Sequence, residues 1–288
     1  MRLEFALLGS LLMALSAYAG DGSTLDPAVQ KALDQALLGE LRSPRIAGSD
    51  TLPSFNLDRI GKLIDQGAAL SQQTFIGEPG ISTVPMAALP VLKSGKTSNS
   101  VETLDLLLSK GATLPASTGG HSILFQAIFD SASDAMIARL LELPGVVQTI
   151  NEFDSYWDRN SLQSAFYHGS VSAIRLLVSS GGDPLLENPQ SHENILHFAA
   201  RTNVNSAQMW PLAIELVGKD RLPGLLSSKD ISGETPIDIA LEGGNLDVLE
   251  SVNPYIPAGL KSSVKALDKL KTCVGLEVCE RWKNFLAQ

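Results

Sequence analysis

The side chains able to do chemistry are few, and their spacing suits no common reaction. The four histidines are His121, His168, His192 and His197. His192, Glu193 and His197 look like a zinc-binding run, but the spacing is His-Glu-x-x-x-His, which turns the two rings to different faces of a helix. No metal is expected there. Cys273 and Cys279 enclose five residues that include Gly275. On an unbroken helix the two thiols would lie on different turns, too far apart to bond, whereas a bend at Gly275 would let them meet. Two readings follow, a disulfide or a pair of buried thiols; an exporting compartment and an even count favour the bond. The Cys-x-x-Cys spacing of oxidoreductases is absent.

Other catalytic signatures are missing too. No Gly-x-Ser-x-Gly, Gly-x-x-x-x-Gly-Lys or Gly-x-Gly-x-x-Gly falls between a strand and a helix. The glycine pairs at 119-120, 181-182 and 243-244 stand where helices end or turns begin. The acidic residues are scattered and form no acid/base couple, so neither an enzymatic activity nor a cofactor is expected. What stands out is one polar turn that carries three aromatics, from Asn151 to Arg159. Tyr and Trp dominate protein interface hot spots, which makes Phe153, Asp154, Tyr156, Trp157, Asp158 and Arg159 the candidate partner contacts. The competing reading has Phe153 or Trp157 fold beneath the turn and pack on a neighbouring element. Phe75, in the loop 71–82, is a further possible anchor.

The elements that must position these residues are read from Asp230 to Glu250. Gly233 supports a turn, Thr235 is a side-chain N-cap, and Pro236 sits where no N–H is needed. Gly243 and Gly244 end the helix, and Asn245 caps a second one. The unit recurs upstream at Asn194-Ile-Leu-His-Phe-Ala-Ala200, at Ser122 and Asn160, and faintly at Val84-Pro85. The expected caps are therefore 84, 122, 160, 194 and 235. A second motif alternates with the first, in Arg59 to Ala68, Thr103 to Ala112 and Ala173 to Gly182, with a looser copy at Met136 to Leu141.

Thr235-Pro-Ile-Asp-Ile-Ala240 resembles the ankyrin signature Thr-Pro-Leu-His-x-Ala, and the second motif resembles that family's Leu-Leu-x-x-Gly-Ala helix end. The resemblance implies an all-α solenoid of about five or six helix-turn-helix units over residues 55–255. The caps step by 38, 38, 34 and 41 residues, longer than the family's period of about 33, so insertions are expected in the connecting hairpins. The resemblance also implies a structural role for His197, its imidazole bridging backbone groups of adjacent repeats, and non-catalytic places in turns for His121 and His168.

The ends frame this array. Met1 to Ala19 reads as a secretory signal, with Arg2, an apolar run from Phe5 to Leu15, and Ala17-Tyr-Ala19 as the cleavage pattern. That run is short for a membrane span. Residues 20–54 hold a capping helix, opened by Asp26 and Pro27 and striped by Val29, Leu33, Leu37 and Leu41. Residues 256–288 are expected to form a C-terminal helical cap with Val264, Leu267, Leu270, Trp282, Phe285 and Leu286, stapled by Cys273–Cys279 if the bond forms.

Charge narrows the partners. The chain is 44% apolar with a formal charge of −9, which lacks the basic field that holds a phosphate backbone. The expectation is a periplasmic, non-enzymatic protein that holds another protein, with no nucleic acid and no membrane anchor. The chain resembles exported bacterial ankyrin-repeat immunity proteins, which implies as partner a secreted antibacterial toxin of the type VI effector kind. The alternatives are a periplasmic scaffold or stress-protection factor for an endogenous protein, and a hydrolase with its site in the non-repeat ends.

Overall fold

The computed structural model describes residues 25–45, 52–71, 73–74, 84–118, 120–202, 204–243, 252–257, 280–281 and 283–285. Phe75, Cys273 and Cys279, and the segments read as a leader, as a helix after Asn245 and, for the most part, as a C-terminal cap, lie outside these residues. The chain divides into two compact units, 1–119 and 120–288. None of the described helices is long and apolar enough to cross a membrane.

The first unit begins with α1, Pro27–Arg42. Asp26 caps it, accepting from the N–H groups of Ala28 at 2.8 Å and Val29 at 3.3 Å, with Pro27 in the first turn where its missing N–H costs nothing. Leu33, Leu37 and Leu41 are fully buried. α2, Leu57–Asp65, follows under its cap Asn56. Hydrogen bonds tie the two helices. Asp34, buried, accepts from Gln30 Nε2 and from the N–H of Ala69, both at 2.8 Å, and Gln30 Nε2 also donates to the Gly67 carbonyl. Glu40 receives Arg45 Nη2 at 2.9 Å and Arg59 Nε at 2.7 Å.

A short antiparallel pair, β1 Gln73–Thr74 and β2 Val84–Pro85, then leads to α3, Ala88–Leu92, and α4, Ser100–Ser109. The expected cap at position 84 is not one. Val84 lies in β2, and α3 starts four residues later behind Ala87 with no side-chain cap. The reason is chemical, since Val offers no oxygen to accept the free N–H groups of a first turn. α1 packs on both α2 and α3, and α2 packs on α4, so α1 takes the place of a first helix in an N-terminal pair.

The second unit repeats one pattern. Its first helices are α5 Ile123–Phe129, α8 Ser161–Tyr167, α10 Ile195–Arg201 and α13 Pro236–Glu242; its second helices are α6 Asp134–Leu141, α9 Val171–Ser179 and α11 Ser206–Val217. The other two α-helices among the described residues of this unit, α7 Pro144–Val147 and α12 Leu222–Ser227, are short. The four caps here are the expected ones: Ser122, Asn160, Asn194 and Thr235 each accept from a first-turn N–H. First helices stack on first helices, α5 on α8, α8 on α10 and α10 on α13. The long steps are explained by α7 and α12, which stand between a second helix and the next turn in the 38- and 41-residue steps from Ser122 and Asn194 and have no counterpart in the 34-residue step from Asn160. The insertions are thus short helices rather than longer hairpins.

Candidate protein-binding surface

The turns that precede α8, α10 and α13 are built alike. Asp154 Oδ1 accepts from the N–H groups of Tyr156 and Trp157, both at 3.0 Å; Asn188 Oδ1 from Gln190 and Ser191 at 2.7 and 2.8 Å; Asp230 Oδ1 from Ser232 and Glu234, both at 2.9 Å. Each turn then places one residue in the left-handed region, Asp158 at φ 49°, His192 at 58° and Gly233 at 74°. Asp and Asn recur because their short side chains can bond their own backbone two residues on.

Behind the turns, a polar side chain on the first helix joins neighbouring repeats. His197, fully buried, accepts from the Asn194 N–H at Nδ1 (3.1 Å), so its proton is on Nε2, which donates to the Glu234 carbonyl at 3.3 Å. Gln163 does the same one repeat earlier, accepting from Asn160 and donating to Leu186 and Glu193 carbonyls. The bridging imidazole implied by the family signature is therefore present. Burial holds the His197 pKa below its ordinary value; Glu193 and the Glu234 carbonyl push it up, by less. In the unfolded chain the ring titrates near 6.5, so below that pH the unfolded chain takes up a proton that the folded one refuses. Stability tied to His197 is present above about pH 6.5 and falls as pH drops below it. His197→Gln, which copies Gln163, is expected to fold at pH 7 and to lose less stability than the wild type between pH 7 and 5.5, as read from urea midpoints at each pH.

The aromatic turn forms a continuous cluster with the first helices. Trp157 lies 5.0 Å from Phe129, centroid to centroid, and 5.0 Å from Tyr156 in an edge-on pair. Phe129 meets His168 edge-on at 5.6 Å, and His168 meets Tyr167 at 5.4 Å. The Arg159 guanidinium sits 4.4 Å from the Tyr167 ring, 5.7 Å from Trp157 and 5.8 Å from Phe198, within reach of the ring quadrupoles. Burial lowers the Arg159 pKa, and burial followed by the Arg159 charge lowers that of His168. Tyr156 is 53% exposed and Tyr167 41%, so the cluster opens to solvent at two phenols. His168 also lines an open groove of about 680 Å³ bounded by Ala132, Gly169, Val204 and Gln208.

Of the six candidate contacts, the structure brings Tyr156, Trp157 and Arg159 together. Phe153 and Asp158 are half-buried, and the Asp158 carboxylate meets the Gln190 amide of the next turn once that amide is oriented as its partners require. Asp154 is different. It is 3% exposed and its Oδ2 holds His121 Nδ1 at 2.7 Å, so it builds the turn from within and has no free edge for a partner. Trp157 is half-buried on Phe129, the packing that the competing reading expects, while Tyr156 stays exposed. Sequence reasoning missed Phe129, Tyr167, His168 and Phe198. A signal existed for two of them: Phe129 and Tyr167 each fall seven residues after a cap, Ser122 and Asn160, and therefore lie on the same face of consecutive helices.

His192 and His197 do not converge, one exposed and paired with Glu187 at 2.9 Å, the other buried. Among the described residues no group of three or more His, Cys, Asp or Glu could hold a metal ion.

With this geometry in hand the fold can be placed. It is an all-α ankyrin-repeat solenoid. The chain is similar to the crystal structure of the human ASB11 ankyrin repeat domain, with TM-score 0.58 and 18% identity over 91% of this chain and 98% of that one. It is also similar to the ankyrin repeat domain of Bcl-3, described as a unique member of the IkappaB protein family, with TM-score 0.53 and 17% identity over 91% and 99%. No family model and no curated protein matches it.

Proposed function

We propose that this protein is an exported, non-enzymatic binding module whose second unit grips a protein partner through the aromatic cluster around Trp157. The supporting observation is the cluster itself: rings from one turn and two successive first helices gather on one face, with Tyr156 and Tyr167 half in solvent. Rigid aromatics with a polar tip are the side chains that yield most binding free energy per residue ordered. Within this reading the partner is a secreted antibacterial toxin and the protein its periplasmic immunity factor. That choice draws on the leader Met1 to Ala19 and the resemblance to exported ankyrin-repeat immunity proteins. Cys273–Cys279 would be paired in that compartment.

The test is a pull-down from periplasm with tagged protein, made with and without the product of an adjacent toxin gene, after N-terminal sequencing of the bait shows a start near Gly20. Tyr156→Ala is expected to weaken capture by about 1–4 kcal/mol, the range of interface hot spots, while lowering folding stability by only about 0.5–1 kcal/mol, because the exposed ring has just its edge-on pair with Trp157 to lose. Trp157→Ala should lose binding and also about 1–3 kcal/mol of stability through its two ring pairs. Undiminished affinity in folded Tyr156→Ala protein would remove this face as the interface.

A further inference from the structure

Arg159 is placed unlike its neighbour Arg201. Arg201 Nη2 has two carboxylates, Glu193 at 2.7 Å and Asp230 at 3.1 Å. Arg159, held among Tyr167, Trp157 and Phe198, has none; its Nε donates to the Trp157 carbonyl at a long 3.4 Å, and its Nη1 is buried with no hydrogen-bond partner. The two carboxylates that act on it through space are already committed, Glu193 to Arg201 and Ser191, Asp154 to His121 and two turn N–H groups. A guanidinium taken out of water without a counterion is costly, and ring faces offset that only in part. What the fork lacks is a planar acceptor with two oxygens, which a carboxylate matches.

Resting on the reading of this cluster as the interface, we propose that Arg159 receives an Asp or Glu carboxylate that the partner presents beside an apolar side chain, the apolar group lying on Tyr156 and Trp157. The apolar neighbour is required by charge. A chain of formal charge −9 repels a bare anion, so the carboxylate must be carried in by contact with the rings. The partner's contact segment is thus acidic and apolar together, rather than basic as the net charge alone would suggest.

The probe is 3-phenylpropionate, which joins a ring to a carboxylate, compared with its uncharged amide and with acetate. In titrations of the isotope-labelled mature protein, the Arg159 Nε–H and Trp157 indole resonances should shift saturably with 3-phenylpropionate. The amide should bind about tenfold more weakly, the loss expected for one charge-assisted pair, and acetate, which keeps that pair but has no ring to lay on Tyr156 and Trp157, also by about tenfold or more. Arg159→Gln should erase the difference between acid and amide. Arg159→Lys, which keeps the charge but not the fork, serves if the Gln variant fails to fold and should weaken the acid by about fivefold or more. Equal binding of acid and amide, an unchanged titration in either Arg159 variant, or no shift at all would overturn the proposal. These failures are separable from failure of the interface. If Tyr156→Ala still abolishes partner capture while the probe fails, the face binds and Arg159 has no such role.

Discussion

Asp154→Ala is expected to lower the stability of the second unit by about 3–5 kcal/mol, the usual result of deleting one member of a buried polar pair. The carboxylate is 3% exposed and accepts three bonds, from His121 Nδ1 and from the N–H groups of Tyr156 and Trp157. Removing it strands all three donors where water reaches poorly, and the turn that carries the aromatic cluster loses its internal brace. Asp154→Asn should cost less, about 1–2 kcal/mol, because its amide oxygen can still accept from the two turn N–H groups. Urea unfolding followed by Trp fluorescence measures both. Equal stability of Asp154→Ala and wild type would mean that the turn is held by its ring contacts alone. Partner affinity of the Asp154→Asn variant should stay within about threefold of wild type, since no Asp154 atom is offered to a partner.

The second large effect is expected at Trp210. Its helix, α11, is weak by itself. It starts from Asn205 in the left-handed region with no side-chain cap, and carries Pro211 in its interior, where the ring removes one helical hydrogen bond. Burial compensates, with Met209, Trp210 and Ala213 fully covered. Trp210→Ala should therefore cost about 3–5 kcal/mol and release α11 to hydrogen exchange before the stacked first helices. Trp210→Phe should cost less, because the indole N–H it removes is buried without a partner. Pro211→Ala, at an exposed position, should raise stability by about 1–3 kcal/mol by restoring the missing bond. If Trp210→Ala and Pro211→Ala leave the denaturant midpoint unmoved, α11 does not depend on that burial.

Local chemistry in the sequence determined the repeat. Asn160, Asn194 and Thr235 cap helices because an oxygen at that position meets free N–H groups whatever surrounds it, and Gly67, Gly111 and Gly181 end helices at φ 103°, 91° and 100° because only Gly takes that backbone freely. The same logic made Val84 a poor cap and exposed the register error there. The bridge from His197 to the next repeat was implied by a family signature, and its geometry follows from the cap beside it. Asp154 and Asn188 each stand six residues before a cap, which marks them locally as the turn-building position and sets Asp154 apart from Asp158, but nothing local says how deeply either aspartate is buried. Tertiary structure alone buried the first against His121, 33 residues away, and left the second half open. The aromatic cluster is the clearest case. Tyr156 and Trp157 are conspicuous in the chain, but Phe129, Tyr167 and Phe198 join them only because stacked helices bring together positions 38 and 31 residues apart, and the lack of a counterion for Arg159 exists only once Glu193 has been drawn to Arg201.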